Sequence, residues 1–214
     1  MTEIRRTYDE GCIGAHALNL IGDRWALLVV RELMLGPRRF GAIRAGLPGI
    51  SANILTRRLE DLMTTGIVTR EELPDPVRVQ LYRLTEAGLR LWPVLRELCV
   101  WGAGMPGHDP RLFISPTSLM LSMRAMCTRD RAGPHLAEFR LDGDIFAVRT
   151  APGAYLVQRG AAAGASLRFS GGANAMAAAV YGPAPLLHSA AGSIAFEGDP
   201  TEGQDFINLF SLRS

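Results

Sequence analysis

With 214 residues, 48% hydrophobic and 21% charged, the chain has room for one large domain or two small ones and is too apolar to be disordered. Its formal charge of +2 neither requires nor excludes nucleic acid, and with no lysine in the sequence every cationic contact falls to arginine. No apolar run approaches the roughly 20 residues of a membrane helix, and Met1-Thr2-Glu3-Ile4-Arg5-Arg6 lacks the apolar segment of a secretory signal, so a cytoplasmic protein with no membrane partner is expected.

Along the first half, Cys12 to Ile21 has helical spacing. A second helix follows from Asp23, with Trp25, Leu28, Val29 and Leu33 toward a core, and Gly36-Pro37 ends it. Phe40, Ile43 and Leu47 mark a short third helix that stops at Pro48-Gly49. Ser51 then suits an N-cap, because its hydroxyl can accept an otherwise orphaned backbone N–H. Leu55, Leu59 and Leu62 recur at i, i+4, i+7, and Gly66 stops the helix that carries them. Ile67–Glu72 and Val77–Leu84 read as paired strands with a tip at Pro74-Asp75-Pro76. A last helix carries Leu91, Leu95, Leu98 and Trp101, with Pro93 near its first turn, where a missing N–H costs least.

Gly102 to Pro110 is dense in helix breakers and predicts a domain boundary, giving units of 1–107 and 110–214. Beyond it, Pro116–Thr128 reads as a helix with Leu119, Met120, Met123, Met126 and Cys127 on one face. Strands follow at His135–Leu141 and Asp144–Thr150, joined by the tight-turn pair Asp142-Gly143. Further strands are expected at Tyr155–Arg159, Ala165–Ser170 and Ser193–Glu197, with short helices at about 173–181 and 184–191. Thr201–Leu212 closes the sequence as a helix with Phe206, Leu209 and Phe210 on one side.

If the leucine stripe faces the core, Asn53, Thr56, Arg57 and Glu60 point outward on the Ser51 helix. Asn suits adenine edges, and Arg suits guanine O6/N7 or phosphate. Ser51 at the helix N-terminus suits a phosphate. Arg58 joins Arg57 in the candidate set, Arg38 and Arg39 are placed to grip the backbone, and Arg78 lies beside the hairpin tip. The competing reading is an ordinary solvated helical face. The cysteines Cys12, Cys99 and Cys127 lack metal-ligand spacing and the four histidines are scattered, so no metal site is expected. No nucleophilic triad, phosphate loop or carboxylate pair stands out. The expectation is a protein that is not an enzyme and needs no cofactor.

Two resemblances sharpen this reading. Residues 10–102 resemble the HxlR family of winged-helix regulators, close to MarR-type proteins, through Cys12, Ile21-Gly22-Asp23-Arg24-Trp25, Gly36-Pro37-Arg38-Arg39-Phe40, Leu47-Pro48-Gly49-Ile50-Ser51, Leu55-Thr56-Arg57-Arg58-Leu59 and Tyr82-Arg83-Leu84-Thr85. The resemblance implies a regulator that binds double-stranded palindromic DNA as a homodimer through its first and last helices. It also implies a possible redox thiol at Cys12. Acidic Asp9 and Glu10 precede that cysteine, His16 lies one turn beyond it, and Ile13 stands where family members usually carry proline. Residues 115–214 resemble the sterol-carrier-protein-2-like (SCP2-like) domain through Leu141-Asp142-Gly143-Asp144, Ala154-Tyr155-Leu156-Val157 and Gly192-Ser193-Ile194-Ala195-Phe196-Glu197-Gly198-Asp199.

The implied fold is α+β, with an N-terminal winged helix followed by helices over a five-stranded sheet. Such a domain implies an apolar tunnel for an apolar or aromatic ligand. Leu119, Met120, Met123 and Met126 would face Phe146, Val148, Leu156 and Phe169 across it, with Met176, Phe206 and Phe210 completing the lining. A solid core made of the same residues is the equal alternative. Other readings of the whole chain are a Cys12 redox or quinone sensor, or a carrier or enzyme of apolar metabolites.

Overall fold

A computed structural model of the chain describes residues 7–73, 79–186 and 193–212. Its contacts divide it into two compact units, Met1–Leu91 and Trp92–Ser214.

The first unit comprises α1 (Ile13–Ile21), α2 (Ala26–Leu33), α3 (Phe40–Ala45), α4 (Ala52–Thr64), β1 (Val68–Leu73), β2 (Val79–Leu84) and α5 (Glu86–Leu89). Val29, Val30 and Leu33 of α2 meet Ile43 and Leu47 around α3 and Leu55, Leu59 and Leu62 of α4, and each of these is at most 2% exposed. This is the apolar stripe that the i, i+4, i+7 spacing predicts. Ser51 caps α4 by accepting the Ile54 N–H at 3.2 Å. After α4, Gly66 takes a left-handed φ of +71°, which turns the chain into β1. β1 and β2 pair antiparallel with Val68 opposite Leu84. The backbone at Arg38 adds to this hairpin: Arg38 N–H donates to the Tyr82 carbonyl at 2.9 Å and Tyr82 N–H to the Arg38 carbonyl at 2.8 Å. The arrangement is a trihelical core with a β wing. The expected wing tip, Pro74-Asp75-Pro76, and Arg78 beside it lie outside the described residues.

The second unit comprises α6 (Trp92–Ala103), α7 (Pro116–Met126), β3 (His135–Leu141), β4 (Asp144–Ala151), β5 (Ala154–Arg159), β6 (Leu167–Gly171), α8 (Ala173–Tyr181), β7 (Ile194–Glu197) and α9 (Pro200–Ile207). Its sheet runs β5-β4-β3-β6-β7, with β3 and β6 parallel and the other neighbours antiparallel. Asp142 (φ +50°) and Gly143 (φ +90°) form the β3–β4 turn, where consecutive left-handed residues match the twist of a tight hairpin. The Asp142 carboxylate also accepts the Ala173 N–H at 2.9 Å and so caps α8 from the hairpin. Asp199 caps α9 by accepting the Thr201 and Glu202 N–H groups, each at 2.9 Å. The helix expected over about 184–191 falls largely on residues 187–192, outside the described set.

One face of the sheet carries Phe139, Phe146, Val148, Leu167 and Phe169, all fully buried, under Leu119, Met120 and Met123 of α7, Met176 of α8 and Phe206 of α9. The rings are in contact: Phe139 stacks on Phe169 at 4.8 Å between centroids, and Phe206 lies 5.9 Å from Phe169 and 5.3 Å from Phe210. Of the two equal alternatives, tunnel or solid core, this packing fits the solid core, with Phe139 and Leu167, left out of the expected lining, buried in its middle. Met126 is only partly buried at the end of α7. Leu156 is a correction: it is 56% exposed and points away from the helices. The strand register explains this, since Tyr155 opposite Thr150 and Val157 opposite Val148 take the inward positions and Leu156 alternates outward. No single helix among the described residues is long and apolar enough to cross a membrane.

Candidate nucleic-acid interface

The interface is built on α4, whose buried stripe fixes the phase of every other residue on the helix. With Leu55, Leu59 and Leu62 inside, Asn53, Thr56, Arg57 and Glu60 are exposed on the opposite side. Ser51 is exposed at the helix start, but its hydroxyl is engaged as the cap. Asn53, Thr56 and Arg57 therefore form a compact polar strip that a groove can admit: an amide with donor and acceptor, a hydroxyl and a guanidinium. Arg39, the N-cap residue of α3, is also exposed.

Arg58 and Arg38 are different. Arg58 is 9% exposed, and its guanidinium contacts the carboxylate of Asp23 and, at 3.1 Å, that of Asp61. It shares a phase with Leu55 and Leu62 and ties α4 to the turn before α2, so this candidate DNA contact is corrected to an internal clamp. Arg38 donates to the carboxylate of Glu32 at 3.1 Å, and the Glu32 side chain is fully buried. Arg31 holds the other carboxylate oxygen at 3.0 Å and reaches the Gly46 carbonyl at 3.3 Å. A Cβ at Gly46 would press on that carboxylate, so a larger residue there forces the Glu32 side chain out of its ion pairs. Two arginines and one buried glutamate thus connect α2, α3 and the wing. Neither the Asp23–Arg58 pair nor the Glu32 cluster was read from the sequence, although the Arg58 phase was there to be read.

None of the three cysteines is in a disulfide: Cys12 is exposed as the N-cap residue of α1, and Cys99 and Cys127 are partly buried. In the second unit one phenol is buried and a second half-buried. Tyr155 is 7% exposed with no hydrogen-bond partner for its hydroxyl among the described residues, and Tyr181 shares a 2.8 Å hydrogen bond with Ser122. Burial pushes both hydroxyls above the usual tyrosine range, well above it at Tyr155.

On the open face of the sheet, Glu138 is 3% exposed, and its carboxylate accepts the Ala162 N–H at 2.8 Å and pairs with Arg140 at 2.8 Å. The Ala162 N–H first and Arg140 second hold this carboxyl below its usual range. Beside it lies a cleft of about 210 Å³ lined by Leu136, Ala147, Arg149, Leu156, Gln158 and the loop residues Ala161, Ala162 and Ala163. Of this lining only Leu156 stands among the pocket residues expected from the sequence, and it was expected on the helix-covered side of the sheet; Leu136, Ala147, Arg149 and Gln158 were not expected.

The model of the HxlR-like helix-turn-helix family matches residues 20–109. The HTH-type transcriptional regulator YvaP of Bacillus subtilis is 40% identical over 86 residues, which are 40% of this chain and 79% of YvaP. The HTH-type transcriptional regulator YodB of the same organism is 43% identical over 86 residues, 40% of this chain and 76% of YodB. A regulator from Methanothermobacter thermautotrophicus is 41% identical over 94 residues, 44% of this chain and 71% of its own. The solved reduced form of YodB is 36% identical and covers 46% of this chain and all of that one, with a TM-score of 0.42.

Proposed function

Because the chain belongs to the HxlR-like helix-turn-helix family of DNA-binding transcriptional regulators, we propose that it acts as a homodimer on a palindromic operator, with α4 of each protomer in the major groove and its second unit modulating the affinity. The observation that carries the reading is the outward strip Asn53-Thr56-Arg57 on a Ser51-capped helix whose other side is locked into the core. Arg39 supplies a backbone contact, which orients without specifying sequence. Wing contacts are assigned to Arg78.

Dimerisation is supported by apolar side chains left open on the two helices that the family resemblance assigns to the interface. Ile13 and Leu18 of α1 are 85% and 52% exposed, and Val94, Leu98 and Trp101 form an i, i+4, i+7 stripe on α6 at 42%, 46% and 65%. We read residues 110–214, which lie within the second unit, as an SCP2-like domain. The five-stranded sheet with helices on one face and the Asp199-capped helix after β7 support that reading. A small ligand held there would alter operator affinity only by binding the two states of the dimer unequally.

Selection of bound duplexes from a random library, followed by titration at several salt concentrations, tests the proposal. A two-fold symmetric consensus and an affinity that falls steeply with salt are expected. Recovery of no enriched sequence overturns it. A second reading, a thiol switch, is favoured by the exposure of Cys12 at the start of α1. Quinone or diamide that releases the native protein but not Cys12→Ser from DNA would select it.

A further inference from the structure

We propose that the open face of the second unit's sheet binds a small monocarboxylate with an apolar body, gripped by Arg149. The occupant is an inference about the cleft itself; its role as an effector rests on the regulator reading above.

Strand register builds the site. Leu136, Arg149 and Leu156 are directly opposite one another across β3, β4 and β5, and Glu138, Ala147 and Gln158 form the adjacent row. Both rows point away from the helices, and the segment Ala161–Ala163 walls them on one side. That wall is fixed, because the Ala162 N–H is bonded to the buried Glu138 carboxylate, and Ala147, Ala162 and Ala165 pack into a small core of their own against Leu136. The cleft is therefore a formed feature of the sheet face.

Charge selects the occupant. Glu138 is already matched by Arg140 and a backbone N–H, so the cleft offers a cation no free carboxylate. Arg149 is exposed and has no ion pair among the described residues, although it stands between two leucines. A guanidinium presents paired N–H donors that fit a carboxylate fork, and the Gln158 amide is a further donor in the same lining. Shape selects the rest. The alanine methyls, Leu136 and Leu156 provide apolar walls, and Leu156 is left 56% exposed in mid-strand, surface that a ligand body would cover. The volume of about 210 Å³ lies below the roughly 300–1,000 Å³ of sites for drug-sized molecules, which restricts the body to about one ring or a short chain.

Calorimetry on the full-length protein tests the site with benzoate, cyclohexanecarboxylate and hexanoate, against benzamide and acetate as probes lacking the charge or the body. The three amphipathic carboxylates should bind, and benzamide and acetate should bind about tenfold more weakly or not at all. Arg149→Gln should weaken benzoate about tenfold, and Ala163→Leu, at an exposed lining position, should abolish binding by filling the cleft while the melting temperature holds. No binding by any carboxylate, or equal binding by Arg149→Gln, overturns the proposal. So does a loss of operator affinity in ligand-free Arg149→Gln together with absent carboxylate binding, which would make the arginine a phosphate contact. Operator affinity measured with and without bound benzoate is a separate readout: binding without any change there leaves the site standing and removes its effector role.

Discussion

Adjacent arginines on α4 have opposite fates, and the difference follows from 100° of helical rotation. Arg57 is exposed beside Asn53 and Thr56, whereas Arg58 turns inward against Asp23 and Asp61. Arg57→Ala and Asn53→Ala are expected to leave the fold intact and to cost about 1–3 kcal/mol each in operator affinity, with relaxed base preference; gel-shift titration against the selected duplex and its single-base variants reads both. Arg58→Ala should instead lower stability. The loss is placed at about 1–3 kcal/mol, below that of a fully buried pair, because the Asp23 side chain keeps 41% of its exposure. The phenols of Tyr155 and Tyr181 give a second test. A folded-state pKa raised above the unfolded value of about 10 contributes stability that is fully present below pH 10 and is lost as pH rises beyond it. Tyr155 and Tyr181 should therefore stay protonated in the native protein through the range where exposed tyrosines ionise, and their ultraviolet titration should coincide with alkaline unfolding. Normal ionisation of all four tyrosines before unfolding would refute their burial.

At the level of elements, the sequence carried periodicity well and partnership poorly. The leucine stripe of α4, the Ser51 cap, the Asp142-Gly143 turn and the order of strands were all legible, because each is a local preference repeated or punctuated at fixed spacing. Which face of β5 is buried was not legible from Tyr155-Leu156-Val157, since all three residues are apolar and alternation then has two equal phases. The register against Val148 and Thr150 settles the phase and sends Leu156 outward. Nor was Glu32 legible, because a glutamate inside an apolar helix shows its arginines only once α3 and the wing close over it. Removing one member of a buried charge cluster strands the others, so Glu32→Ala is expected to cost about 3–5 kcal/mol in urea unfolding. Glu32→Gln, which keeps hydrogen-bonding capacity, should cost less. A loss under about 1 kcal/mol for the alanine variant would mean that the cluster does not join α2 to the wing.

If the chain binds a palindrome as the proposed homodimer, the decisive quantity for the whole molecule is the separation of the two α4 helices, because half-sites on one face of B-DNA repeat at about 34 Å. A single protomer offers one Asn53-Thr56-Arg57 strip, and affinity for a palindrome comes from linking two. The family match ends at residue 109, while α6 packs with α7 in the second unit, so the helix proposed for dimerisation belongs to one module by sequence and to the other by contact. Leu98→Glu combined with Trp101→Glu places two carboxylates on the open stripe of α6 without touching its buried residue, Leu95. The variant should sediment at half the native mass and keep a native-like circular dichroism spectrum. It should bind the full palindrome no better than a single half-site, a loss of at least about tenfold in affinity. A variant that remains dimeric, or a monomer that still prefers the palindrome, would show that the exposed stripe on α6 is not the dimer contact and that the two recognition helices are spaced by another surface.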